Sequence, residues 1–281
     1  MKTFTLVLSA LVLIGLFGAP VRADIVLDNL IWYSEAGNDW DTNTELLADQ
    51  APAAPDQSGT GSSRIAYTAA SGSNPAYLSP DGTATDGNRS LHPAYALGTN
   101  PFSIAVWFRW SELESTTHRY FYDQWNYAGD GEGVLMRMAR SQSANALQTI
   151  MQDTSSSVGL TGSSLYNDDE WHLVTLVREA ATGADKLKLY VDDTMVDSGN
   201  PNNIDATSTQ DIQLLRAMAD STDIIDINSV FMYSDALTIT EVTQNFNEGA
   251  GAPIPEPSTL ALAVSAGLLL LVRRRSQRNS S

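Results

Sequence analysis

Four stretches of the chain alternate side chains at a period of two, as a strand that presents different residues to its two faces must. In FSIAVWFRW, Phe102, Ile104, Val106, Phe108 and Trp110 fall on one face, and Ser103, Ala105, Trp107 and Arg109 on the other. WHLVTLVR sets Trp171, Leu173, Thr175 and Val177 against His172, Val174, Leu176 and Arg178. Apolar residues stand on both of its sides, which suits a strand covered twice. KLKLYV turns Leu187, Leu189 and Val191 inward and Lys186, Lys188 and Tyr190 outward. Asp192-Asp193 then reads as a two-residue hairpin turn into Thr194-Met195-Val196, because Asp tolerates the left-handed conformation. IIDINSVFMY alternates Ile225, Ile227, Ser229, Phe231 and Tyr233 against Ile224, Asp226, Asn228, Val230 and Met232. Thr238-Ile239-Thr240-Glu241 has the form of a capping box, predicting a short helix to about Asn247 that Gly249 ends.

Between these runs lie segments rich in Gly, Ser, Thr, Asn and Asp, an all-β signature. Residues 49–63 and 71–88 read as loops, the second with turn signals at Asp81-Gly82 and Asp86-Gly87. No internal repeat of fixed period occurs, and neither loop is long enough to divide the chain into two domains.

The three segments FSIAVWFRW, WHLVTLVREAATGADKLKLYVDDTMVDSG and IIDINSVFMYSDALTITEVTQNFNEG occur in the order seen in laminin-G-like, concanavalin-A-like domains, and the chain resembles that family over roughly residues 95–250. Matching positions are Phe102, Trp107, Trp171, His172, Val174, Leu189, Tyr190, Val191, Asp192, Ile225, Asp226, Tyr233, Ala236, Leu237 and Glu241. It departs from the pattern at Asp193, where the family has a turn glycine, at Asn228-Ser229 and at Thr238. Residues 24–94 match only as generic first strands. The resemblance implies an all-β fold, a two-sheet antiparallel jelly-roll sandwich, over residues 24–252.

Both ends read as address labels. Residues 1–23 carry Lys2, an apolar run from Phe4 to Phe17 and a small-residue exit at Val21-Arg22-Ala23, the pattern of a secretory signal peptide cleaved after Ala23. Residues 253–281 join Pro255-Glu256-Pro257 to an apolar stretch over 259–272 and a basic cluster over 273–278, with Arg273, Arg274 and Arg275 placed as a stop-transfer signal. As a helix the apolar stretch spans ~21 Å, short of a ~30 Å bilayer core. This tail resembles the PEP-CTERM sorting signal of Gram-negative bacteria. The resemblance implies a transient hold in the inner membrane, cleavage near Pro-Glu-Pro by an exosortase-type protease, and delivery to the cell surface or exopolysaccharide matrix.

Charge and cysteine narrow the function classes. The 281 residues carry 16 Lys+Arg against 33 Asp+Glu, a formal net charge of −17. Residues 24–252 alone hold 10 basic and 32 acidic groups, a net −22. Nucleic acid is excluded as a partner on this balance, and cations or neutral glycans are favoured over anionic polymers. With no cysteine, a disulfide frame, a Cys-ligated zinc and a cysteine nucleophile are all excluded.

Catalysis has little support in the residues. Glucanases of this shape use an E-x-D-x-x-E strand that aims its carboxylates into one groove; the chain has none, and Asp223 and Asp226 point to opposite faces of an extended strand. There is no G-x-S-x-G; His92 and His118 have no recognisable partner, and His172, in the Trp-His motif of the resemblance, reads as a packing or rim residue rather than a base. The reading is a non-enzymatic protein that binds a glycan or a surface protein; the alternatives are a secreted polysaccharide-active enzyme on the same fold and a purely structural matrix component. Calcium is the one cofactor this chemistry admits, with oxygen ligands from Asp39, Asp41 and Asn43, from Asp81, Asp86 and Asn88, or from Asn167-Asp168-Asp169. The first set copies the opening of an EF-hand loop, then fails at Thr44 and Gln50. For a glycan, the stretch 120–127 mixes rings with polar side chains and offers Tyr122, Trp125 and Tyr127; as a strand it sets Tyr120, Tyr122 and Gln124 on one side. Trp32, Tyr33 and Trp40 form a second aromatic group.

Overall fold

The expected alternation in 102–110 holds: Phe102, Ile104, Val106, Phe108 and Trp110 all enter one large apolar core. A computed structural model of the chain describes residues 30–35, 64–68, 70–71, 74–75, 77–81, 90–92, 94–110, 118–127, 131–141, 144–162, 166–210, 212–217 and 225–250. These form strands β1 (Leu30–Glu35), β2 (Arg64–Thr68), β3 (Tyr77–Asp81), β4 (Ser90–His92), β5 (Phe102–Trp110), β6 (Arg119–Trp125), β7 (Gly133–Ser141) and β8 (Ala144–Gln152). They continue with β9 (Ser157–Thr161), β10 (Trp171–Arg178), β11 (Leu187–Val191), β12 (Thr194–Gly199), β13 (Ile212–Leu214), β14 (Arg216–Ala217), β15 (Ile225–Tyr233) and helix α1 (Ile239–Glu248).

Two antiparallel sheets result. One is eight-stranded, in the order β12-β11-β10-β5-β15-β3-β2, with β1 also paired to β15. The other is seven-stranded, in the order β4-β13-β6-β7-β8-β9, with β14 also paired to β6. Their inner faces interdigitate: Val174, Leu176, Leu189 and Ile227 from the first meet Phe121, Val134, Met136 and Leu147 from the second. Phe108 and Phe121 stack across the interface, 5.2 Å between centroids. Along one side the edge strands β9 and β12 are tied together, the Thr161 amide donating to Asp197 Oδ2 at 2.8 Å.

The eight-stranded sheet is buried on its outer face too. Ala105, Trp107, Leu173, Val177, Phe231 and Tyr233 lie there under α1, which contributes Val242 and Phe246. The Phe246 ring stacks on Trp107 at 5.9 Å. The predicted capping box is present: the Glu241 amide donates to Thr238 Oγ1, and the Thr238 amide donates to Glu241 Oε2. Gly249 closes the helix at φ 81°. The Asp192-Asp193 turn is also found, with Val191 paired to Thr194 and Asp192 at φ 58°.

Two strands depart from simple alternation. In β15 the register shifts between Ile227 and Ser229, leaving Asn228 as a bulge. One extra residue exchanges the faces. Ile225 and Ile227 therefore share the core with Val230 and Met232, while Phe231 and Tyr233 turn to α1. In β6 a shift between Tyr120 and Tyr122 does the same at Phe121. Tyr120 moves to the outer face, and Tyr122 joins the core. Among the described residues, no helix is long and apolar enough to cross a membrane; the signal peptide 1–23 and the tail, with Pro255, Glu256, Pro257, Arg273, Arg274 and Arg275, lie outside them.

Candidate functional site

The outer face of the seven-stranded sheet gathers rings and planar polar groups. Tyr120 and Trp125 of β6 and Leu135 of β7 form a small apolar patch there, with Ile150 of β8 packed against it. Register sets the polar neighbours: Tyr120 pairs with Arg137, and Arg137 with Gln148. The guanidinium donates from Nε and Nη2 to Gln148 Oε1 at 2.9 and 2.6 Å, and from Nη1 to the Tyr120 hydroxyl at 3.2 Å. Just beyond β6, the 44% exposed Tyr127 donates its hydroxyl to Asp123 Oδ2 at 2.7 Å. His118 meets Tyr120 edge-on. Burial first, and the Arg137 charge second, hold its imidazole below the ordinary histidine range.

The three aromatics expected to bind glycan therefore separate. Tyr122 has no exposed surface and donates its hydroxyl to Gln124 Oε1 inside the protein, so it offers no ring face to a ligand. The bulge at Phe121 is the cause. Trp125 is on the correct face but only 9% exposed, with Gly131 lying against its ring. Tyr127 is the accessible ring of the three. Arg137 and Gln148 were not singled out from sequence, although GVLMRMARS alternates Leu135 and Arg137 against Val134, Met136 and Met138 and so shows a cation on one face of a strand.

A second polar cluster sits at the rim where β10 begins. His172 Nδ1 faces Asp192 Oδ2 at 3.0 Å and Nε2 faces Asp168 Oδ1 at 3.1 Å, while Tyr166 packs edge-on against the ring. Both nitrogens point at carboxylate oxygens, so both must donate, and only the imidazolium has two N–H groups. The two carboxylates accordingly hold the His172 pKa above its usual value against the opposing effect of burial. A raised folded-state pKa stabilises the fold below the unfolded pKa of ~6.5, and that stability is lost as pH rises through the folded value. Asp168 is more than half exposed, which limits the effect. His172→Gln should cost about 1–2 kcal/mol at pH 6 and less than half of that at pH 9. Urea unfolding at the two pH values checks this; a cost that grew with pH would refute the charged clamp.

Beside it, on the outer face of the eight-stranded sheet, Trp171, Arg109 and Asp226 form one rung across β10, β5 and β15. Arg109 donates to Asp226 Oδ2 from Nε at 3.0 Å and from Nη2 at 2.6 Å. Its guanidinium lies 4.9 Å from the Tyr77 ring centroid and 5.2 Å from that of Trp171.

The acidic loops mostly serve their own backbone. Asp168 Oδ1, besides facing His172, accepts from the Glu170 amide. Asp153 accepts from the Ser155 amide and hydroxyl and from the Ser156 and Asp205 amides, which bring its carboxyl down to about 2. In the neighbouring 167–169 turn, Asp169 Oδ1 lies 3.6 Å from Arg109 Nε. Among the described residues no group of three or more His, Asp or Glu side chains is placed to hold a metal ion. Asp39, Asp41, Asn43, Asp86 and Asn88 lie outside the described residues, as do Trp40 and Asp223. Asp81 ends β3 opposite Arg64, and His92 ends β4 opposite Ile212.

Comparison with known proteins agrees with this architecture. No curated protein matches the chain. Among solved structures, the chain resembles the binding domain of Paraclostridial Mosquitocidal Protein 1, with a TM-score of 0.59 at 12% identity, over 78% of this chain and 52% of that one. It also resembles the botulinum neurotoxin serotype G binding domain (TM-score 0.58, 13% identity, 78% and 50% covered). A third is the serotype D ligand-binding domain in complex with N-acetylneuraminic acid (TM-score 0.57, 12% identity, 79% and 51% covered). The chain thus spans about half the length of these structures, and at such identities the likeness is one of fold. Residues 55–243, more than half of the chain, match the family described as the concanavalin A-like lectin/glucanases superfamily, and the chain belongs to that family.

Proposed function

We propose that the chain is an exported, non-catalytic surface or matrix protein whose sandwich binds glycan on the outer face of its seven-stranded sheet. The observation that carries this reading is the array on that face: an exposed Tyr127 ring, and Arg137 and Gln148 already locked together. Sugars are recognised by aromatic faces flanked by planar hydrogen-bonding groups, and groups fixed beforehand lose less entropy on binding. Solved structures of the same fold lend support, one of them a neurotoxin ligand-binding domain in complex with N-acetylneuraminic acid. The two ends supply the route: signal peptide 1–23 for export, then the PEP-CTERM tail for a transient inner-membrane hold and processing by an exosortase-type protease.

Calorimetry and a glycan array on the full chain in mild detergent, with and without calcium, test the reading. Binding of a glycan, weakened at least tenfold by Tyr127→Ala, is the expected result. Release of new reducing ends from the bound polysaccharide would overturn the non-catalytic reading. For the route, mass spectrometry of the surface protein should show a chain that ends near Pro255-Glu256-Pro257; retention of residues 259–281 there would refute processing.

A further inference from the structure

Arg137 differs from Arg109, Lys186, Lys188 and Arg178 in what surrounds it. Arg109 is paired with Asp226 and lies 3.6 Å from Asp169. Lys186 and Lys188 both grip Glu179. Arg178 is sealed in the interior against the Gly98 carbonyl. Arg137 is half-buried on the outer face of the seven-stranded sheet, and the groups that orient it are neutral: the Gln148 carboxamide and the Tyr120 hydroxyl. Among the described residues no carboxylate comes within ion-pair distance of it. The one acidic side chain described on the adjoining rung of β6, Asp123, is engaged by the Tyr127 hydroxyl.

In a domain of net −22, where carboxylates are abundant, an arginine with only neutral partners among the described residues stands out, because pairing with an acid adds favourable energy. Its charge is felt nearby, adding to burial in lowering the His118 pKa. Of the five guanidinium N–H groups, the two bonds to Gln148 and the one to Tyr120 leave one N–H on each terminal nitrogen. That remainder suits an oxyanion with two acceptor atoms.

We infer that this face recognises a saccharide bearing an acidic substituent, with Arg137 as the residue that binds the acid group. The inference rests on the glycan-binding reading and names its ligand class. It is compatible with the reading from composition: overall acidity disfavours long anionic polymers by long-range repulsion, whereas one oriented cation at short range selects a short oligomer with a single acid group docked there.

The test uses the full chain in mild detergent and three oligosaccharide sets of equal length: galacturonic-acid oligomers, their methyl esters, and sulfated neutral oligomers. The acid-bearing oligomers should bind at least tenfold more tightly than the methyl esters, and the preference should shrink as salt rises. The carboxylate and sulfate arms tell which acid group is preferred. Arg137→Gln should abolish the preference, with Arg137→Lys retaining part of it; matched thermal unfolding shows that both variants fold. Equal binding of acid and ester, or a preference that survives Arg137→Gln, would overturn the inference and leave the glycan reading intact. Binding of none of the three sets, nor of any neutral glycan on the array, would remove both.

Discussion

Gly133→Ala should cost about 3–5 kcal/mol of stability, far more than alanine costs at an ordinary strand glycine. Gly133 opens β7 at φ +123°, where L side chains are strained. A Cβ built there would lie 1.9 Å from the Gln124 carbonyl oxygen and 3.1 Å from the Ser208 side chain. A backbone oxygen cannot rotate aside as a side chain can, so β6 and β7 would have to separate where Trp125 pairs with Gly133. Gly159 of β9 supplies the control, since its Cβ would come no closer than 3.8 Å to the Thr149 carbonyl and needs no unusual φ. Gly159→Ala should change stability by less than ~1 kcal/mol. Denaturant midpoints of the two variants decide the matter; equal stability would show that the β6–β7 approach is looser than described.

Arg109→Ala should be nearly as damaging, about 3–5 kcal/mol, because it strands a buried carboxylate. Asp226 has a side chain only 6% exposed, and Arg109 supplies two of its hydrogen bonds. Burial already raises the Asp226 pKa, with Arg109 pulling the other way. Removing the arginine therefore raises it further. A raised folded-state pKa means that the folded chain holds a proton the unfolded chain has released, so stability falls as pH climbs above ~4 until the folded pKa is passed. The variant should accordingly lose stability over a wider pH range than the parent. Asp226→Leu in the Arg109→Met background should recover part of the loss, since an apolar pair needs no desolvation of charge. Urea unfolding between pH 4 and pH 8 measures both effects. A flat pH profile for Arg109→Ala would mean that the carboxylate has found another partner.

Much of the sandwich was legible in the order of residues, and the exceptions have a common cause. β5, β10 and β11 follow the alternation read from them, because each face of these strands is dictated by burial alone. The helix cap was readable because Thr238 and Glu241 lie three residues apart and need no partner strand. β6 and β15 misled, since a bulge is decided by which residue of a neighbour it opposes. That single extra residue sends Tyr122 inward and removes it from the candidate site. Arg137 and Gln148 are eleven residues apart, and only the β7–β8 register unites them. The Trp171–Arg109–Asp226 rung crosses three strands distant in sequence, and pattern within any one of them does not reveal it.

The packing of α1 onto one side of the sandwich also has a mechanical meaning. Ala250, the last described residue, still rests against the cluster beneath the helix. A pull applied through Ala250 is therefore delivered on the outer side of the eight-stranded sheet. The face bearing Arg137 and Tyr127 belongs to the other sheet, stacked at the usual ~10 Å separation, and looks the opposite way.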